Sequence, residues 1–390
     1  MIIYAIIIFI LSLLIPYFIE GKLISPVSIL WGAYCLPIFI FNIDLSLIFY
    51  VYSIFSFLVY TSFYYLSLRL LSVYSKNEFN YKTFNHKYVK RFVMLSFLFC
   101  ALVFVFNISG VFLKFGFNAY TYVSSKDIEL TFGRSTVLNY LFFFNMVLPC
   151  FIYYFILKKV LSKFWYVSIF MCFIFLSMTG IKSTLLFGLT IYIFFFILNS
   201  NKVGLIKYIV IGLTTSILVY LMFFFVNIGV DSAEGLGFGR FSDLLYGYIG
   251  INYRNLDLEL NSRVDYMFGK YTFIFITKLF DSSMQGGYFA SNELILIDPN
   301  FNMGTFLREY FVDYGFIGSQ VIIVLIAFFG AFFYKLSTKN IGFSYCLSVY
   351  YAACAFSFFG NQFIRLQFIV ISMQALVFVY FILYSKKVGE

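Results

Sequence analysis

The 390-residue chain is 62% hydrophobic and 24% aromatic, with a mean hydropathy of +0.93, well above the roughly half-apolar make-up of soluble domains. A soluble globular fold is thereby excluded, and recurring apolar stretches of about 20 residues point to an all-α, polytopic helical membrane protein. The formal charge of +10 lies mostly in short loops between apolar stretches, the pattern of membrane topology and not of nucleic-acid binding.

Eleven membrane spans are expected, at 2–19, 24–42, 45–68, 92–113, 136–157, 163–179, 182–199, 207–229, 317–334, 341–360 and 363–384. The first lacks a basic leader, and Glu20-Gly21-Lys22 follows it in place of a small-residue cleavage site, so a retained helix is expected, not a signal peptide. Gly180-Ile181-Lys182 divides the sixth and seventh spans, because Trp165–Ser200 as one helix would exceed the bilayer thickness. The domain reading is therefore 1–230 with helices one to eight, 231–316 as a large outer loop containing short helices, and 317–390 with helices nine to eleven and a tail. Within the loop, Tyr271–Phe280 reads as an interfacial or re-entrant helix.

Orientation follows from the cations. With eleven spans, the basic connections Arg69–Arg91, Lys158–Lys163, Asn199–Lys207 and Lys335–Lys339 all fall on one side, which the positive-inside rule makes the cytoplasm. The N-terminus is then outside and the C-terminus cytoplasmic, in a bacterial inner membrane. The inner side carries 16 Lys and Arg, 14 of them Lys, and 3 acids; the outer side carries 11, six of them Arg, and 14 acids. Topology needs only positive charge. Arg adds a planar fork that holds phosphate in fixed geometry, so the outer arginines are the first candidates for chemistry.

Those candidates are Arg134, Arg240, Arg254, Arg263, Arg308 and Arg365, joined by Lys182 in its apolar surroundings. Each is expected near headgroup depth, where it would meet a lipid-linked phosphate; an arginine at a helix end also snorkels to phospholipid, and some of these would form plain ion pairs. Glu309 and Asp313 are spaced i, i+4, and Thr305 is placed to cap a helix carrying both on one face. One would serve as a general base on a sugar hydroxyl and the other as its orienting partner, or both would belong to a solvated face. Tyr310 stands among loop tyrosines suited to sugar stacking or to an aromatic belt. Gly235-Leu236-Gly237-Phe238-Gly239 before Arg240 matches neither a P-loop nor a dinucleotide fingerprint. All six cysteines fall in apolar spans with no CxxC, and the single histidine, His86, lies in a basic inner loop. No metal, no cofactor and no histidine-based catalyst is expected.

In layout, the chain resembles the Wzy-type O-antigen and capsular polysaccharide polymerases. The local resemblance lies in Thr305-Phe306, Arg308, Asp313, Gly315 and Gly318 at the loop exit, and in Thr179-Gly180-Ile181-Lys182-Ser183. At the second site the family often has Arg where this chain has Lys182, which lacks the bidentate fork. The resemblance implies a membrane-embedded, metal-independent glycosyltransferase that moves a growing glycan from undecaprenyl pyrophosphate to a new lipid-linked repeat unit. Its implied partners are the undecaprenyl-pyrophosphate-linked oligosaccharide, membrane lipids and a chain-length regulator protein. The implied roles are catalysis by Arg240, Arg308, Glu309 and Asp313, and substrate binding by Arg134, Lys182, Arg254, Arg365 and Tyr310. An O-antigen ligase would use an outer-loop histidine, which this chain lacks, and a flippase would carry charges inside several spans.

Overall fold

The computed structural model describes residues 2–73, 86–116, 141–178, 182–200, 238–263, 265–269, 271–272, 305–358, 360, 362–363 and 366–384. Among them all regular structure is helical: α1 (Ile3–Glu20), α2 (Pro26–Ile40), α3 (Leu47–Val73), α4 (His86–Phe115), α5 (Phe144–Leu157), α6 (Tyr166–Ser177), α7 (Lys182–Asn199), α8 (Phe238–Ser262), α9 (Phe306–Ser337), α10 (Ile341–Ala355) and α11 (Leu366–Tyr384). Four of these, α1, α3, α4 and α9, are long and apolar enough to cross a membrane by length and composition. The other helices in expected spans are shorter but also apolar, and the expected span at 207–229 lies outside the described residues. The chain packs as two compact units, each interleaved in sequence: Met1–Glu78 with Leu236–Lys339 and Tyr350–Phe368, and Phe79–Gly235 with Asn340–Val349 and Ile369–Glu390.

In the first unit, local chemistry marks the helix ends. Gly21, at φ +66, ends α1 in the left-handed conformation that glycine adopts without steric cost, its amide bonded to the Tyr17 carbonyl at 3.0 Å. Ser25 and Ser28 form a reciprocal capping box at the start of α2, with Pro26 at the first helical position. Ser46 caps α3, its hydroxyl accepting from the Phe49 amide at 3.4 Å.

The spine of this unit is a parallel pair, α3 against α9. On α3, Tyr52, Ser56, Tyr60 and Tyr64 recur every fourth residue and so share one face. Tyr52 donates to Ser319 Oγ at 2.9 Å, Ser56 Oγ accepts from Gln320 Nε2 at 3.2 Å, and the Tyr60 and Tyr350 hydroxyls meet at 2.8 Å. In lipid, where apolar side chains gain little by leaving their surroundings, such interhelical hydrogen bonds and close packing hold helices together. Close approach is also why Gly330 stands where it does, since a Cβ there would fall 2.7 Å from the Tyr350 hydroxyl. At the C-terminal ends of α1, α3 and α9, Tyr65 donates to Glu20 at 3.0 Å and the Lys22 ammonium lies 5.6 Å from the Tyr334 ring centre.

The second unit is built on α4, α5, α6 and α7. The break expected at Gly180-Ile181-Lys182 falls between α6 and α7, which run antiparallel with Phe173 against Tyr192 and Leu176 against Gly188. Phe104 stacks on Phe175 at 4.3 Å, and Phe151 packs on both Phe195 and Phe378. A cavity of about 390 Å³ between α4, α5 and α11 has walls of Phe92, Phe99, Phe144, Phe378 and Phe381, so it suits an apolar guest and not a sugar.

Two features differ from the sequence expectation. The outer loop was expected to hold short helices, yet α8 alone runs 25 residues. Its buried Asn252, Tyr253, Asn255, Leu256 and Glu259 form one stripe at helical spacing, against exposed Leu258, Asn261 and Ser262. The ninth span was expected from 317, entered by a helix that Thr305 caps; α9 does begin at Phe306, after Thr305 in extended conformation, but the Thr305 side chain makes no capping hydrogen bond, and the helix changes direction at Gly315 (φ 68, ψ −167). The segment before that kink is a buried extension of the helix and not a loop.

Candidate functional site

The first two turns of α9, from Phe306 to Asp313, are buried without a break, charged residues included. Phe306 anchors them: its amide donates to the Ser357 carbonyl at 2.9 Å, and its ring meets Trp31 and Tyr34 edge-on at 5.9 and 5.5 Å. From the other side, Tyr253 of α8 donates to the Tyr34 carbonyl at 2.5 Å. Asp257, also on α8, accepts from the Ser46 amide at 3.0 Å and from its hydroxyl. A carboxylate at that position is favoured by the unpaired amides at the start of α3. Together these bonds lock α8 across the N-terminal ends of α3 and α9.

That locking brings Arg308 to Glu259. Arg308 is 1% exposed, and its Nη2 donates to Glu259 Oε1 at 3.1 Å. The other oxygen of Glu259 accepts from Arg263 Nε at 2.5 Å. Glu259 is fully buried, so one carboxylate is shared between two guanidinium groups away from solvent. Breaking such a pair from one side leaves charge behind in a medium that solvates it poorly. Glu309, buried beside Arg308, also acts on that guanidinium, so two carboxylates balance the two cations. The planar forks of the two arginines are held in fixed orientation, as recognition of phosphate or carboxylate requires.

Asp313 has a different place. The kink at Gly315 interrupts the helical ladder, so the carbonyls of Val312 and Asp313 take donors from the chain beyond α8: the Met267 amide at 3.1 Å and the Phe268 amide at 2.9 Å. The Asp313 carboxylate accepts from the Tyr271 amide at 3.1 Å and the Thr272 amide at 2.5 Å. The Tyr266 ring lies over Gly315, where a Cβ would fall 2.6 Å from it. The described residues of the turn 265–272, all but Lys270, are thus clasped to α9 through Asp313.

Of the residues singled out in the sequence, Arg308, Glu309, Tyr310 and Asp313 come together at the buried start of α9, and Arg254 is half-buried on α8, which packs against it. Arg240 lies in the first turn of α8 and Lys182 opens α7; their side chains fall outside what is described, as do Arg134, Arg365 and residues 273–280. Glu259 was not among the candidates; with Arg263, an outer arginine given no particular role, it completes the ionic centre. Their i, i+4 spacing, on the stripe formed by Asn252, Asn255 and Leu256, is the signal that marks them. Among the described residues no three His, Cys, Asp or Glu side chains gather as metal ligands.

The fold therefore defines a helical membrane protein with a buried arginine–carboxylate centre at the N-terminal ends of α3 and α9. No family model, curated protein or solved structure matches the chain.

Proposed function

We propose that this protein is a polysaccharide polymerase of the bacterial inner membrane, transferring a growing glycan from undecaprenyl pyrophosphate to a new undecaprenyl-pyrophosphate-linked repeat unit on the outer face. The observation that carries this reading is the Arg308–Glu259–Arg263 centre, a buried and oriented guanidinium pair in a membrane protein. In the proposed reaction the acceptor hydroxyl oxygen bonds to the anomeric carbon of the donor glycan. The bond from that carbon to the pyrophosphate oxygen breaks, its electron pair leaving with undecaprenyl pyrophosphate. The hydroxyl proton passes to a carboxylate, for which Glu309 is assigned. Oriented cations that meet the charge growing on the leaving pyrophosphate lower the barrier, and they do so most where water is excluded. Arg308 is assigned to that charge with Arg240; Arg134, Lys182, Arg254 and Arg365 are assigned to the donor, and Tyr310 to its sugars. Asp313, assigned from sequence to the catalytic group, supports it here by fixing the turn beside the site.

The eleven-span topology draws support from helix directions. Tyr4 meets Tyr50 and Glu20 meets Tyr65, so α1 is parallel to α3, and the hydrogen bonds above make α3 parallel to α9. If α4, α5, α6 and α7 each cross once, a parallel α3 and α9 require one further crossing before Phe306, which the apolar run 207–229 would supply. Reporter fusions after Lys87 and within 255–298 are expected to read inside and outside respectively; the reverse pattern would invalidate the orientation and with it the outer-face site.

The activity itself is tested by reconstituting the protein with a lipid-pyrophosphate-linked repeat unit from its source. A ladder of lipid-linked oligomers, formed with added chelator and accompanied by release of undecaprenyl pyrophosphate, is the expected result. Unchanged monomeric repeat units would refute the assignment.

A further inference from the structure

The turn 265–272 carries an exposed aromatic residue that the clasp to α9 does not use. Phe268 is 85% exposed and sits at φ +47, a left-handed conformation that bulky residues rarely adopt. Its backbone is fixed while its ring is turned away from the protein. The Phe268 amide bonds the carbonyl of Asp313, the acceptor that residue 317 would use in an unbroken helix. Phe268 is therefore held next to the place where Ile317 begins the spanning part of α9. Ile317 is 81% exposed, and below it Val321, Leu325 and Phe328 continue one exposed apolar stripe along the helix. In a helical membrane protein that stripe faces lipid. Phe268 prolongs it upward from the loop.

We propose that the turn 265–272 is an interfacial wedge whose Phe268 side chain inserts into the bilayer at the headgroup–acyl boundary, on the side where α9 enters the membrane. The occupant of this surface is lipid. Aromatic rings are favoured at that depth, and the exposed Asp265 at the start of the turn stays toward water. The wedge sets the height of the clasp, and through Asp313 that of the Arg308–Glu259 centre, relative to the headgroup layer. This inference rests on the membrane fold and is independent of the polymerase reading.

All six native cysteines are buried, so a spin label can be directed to Phe268→Cys in the full chain. The variant would be placed in vesicles of phosphatidylethanolamine and phosphatidylglycerol, beside Asp265→Cys and Ile317→Cys. Label at 268 is expected to relax several-fold more with oxygen than with a water-soluble nickel chelate, as at 317, while label at 265 shows the opposite ratio. Chelate access at 268 equal to that at 265 would mean a solvated tip, and access to neither reagent would mean that protein covers it; either result overturns the proposal. As a second measurement, Phe268→Trp fluorescence in excess of the native protein's is expected to be quenched by lipids brominated near the headgroup, and its persistence would count against insertion.

Discussion

Arg308→Ala is expected to abolish long-chain product and leave single lipid-linked repeat units, with a loss of stability large enough to see in thermal unfolding of the detergent-solubilised protein. Arg308 is 1% exposed and shares Glu259 with Arg263, so its removal leaves a buried carboxylate with one of its two cations. Breaking a buried pair from one side typically costs about 3–5 kcal/mol; the remaining Arg263 bond places this case toward the lower end. A stability loss alone would also shorten chains, so Arg308→Lys is the informative companion. It keeps the charge and loses the fork, and if oriented binding of pyrophosphate is the role, its product ladder stays short at normal protein abundance. Glu259→Gln keeps the shape and frees both guanidinium groups from their carboxylate. The two substitutions combined are expected to be less damaging to stability than the sum of the singles, because each removes the same bond. Full-length polymer from Arg308→Ala would remove this residue from the chemistry.

Gly315→Ala is expected to destabilise the clasp by about 2–6 kcal/mol, adding backbone strain of about 1–3 kcal/mol to overpacking of about 1–3 kcal/mol at a filled site. At φ 68 and ψ −167 the backbone is in a region reserved for glycine, and the new methyl would lie 2.6 Å from the Tyr266 ring. The two contributions can be separated. Adding Tyr266→Ala removes the clash and leaves the strain, so the double variant should recover part of the loss. Protease cleavage within 263–272, followed by mass spectrometry, is the direct measure: it should rise in Gly315→Ala and in Asp313→Ala, which loses the acceptor for the Tyr271 and Thr272 amides. Unchanged protection in both variants would show that the turn is held by something other than the kink and the carboxylate.

Much of the membrane fold was legible because its cause is local. A stretch of apolar side chains must satisfy its own backbone hydrogen bonds in lipid, and the helix is the way a single segment does so. Ten of the eleven expected spans coincide with helices among the described residues, and Thr305 stands at the head of α9 as its extended N-terminal neighbour. The amphipathic α8 was less legible. Its apolar stripe is interrupted by Asn252, Asn255 and Glu259, which are polar residues on the buried face. A pattern search expects polar residues on the solvent side, so buried polar groups erase the signal at the position where the site forms.

Composition and periodicity by themselves determined that this is an all-helical membrane protein, where most of its helices lie, and that its arginines are unevenly distributed. The Glu259–Arg263 pair is local, at i, i+4, but that Arg308 joins it was decided by tertiary structure alone. Arg308 and Glu259 are far apart in the chain and meet because Tyr253 and Asp257 fasten α8 to α2 and to the start of α3. The i, i+4 spacing of Glu309 and Asp313 suggested a carboxylate pair, but the kink at Gly315 freed two carbonyls and drew the turn 265–272 over Asp313, giving that carboxylate backbone amides to hold. Helical spacing is a property of the sequence. The partners of a buried charge depend on which distant segments share its burial, and that follows from how the helices pack.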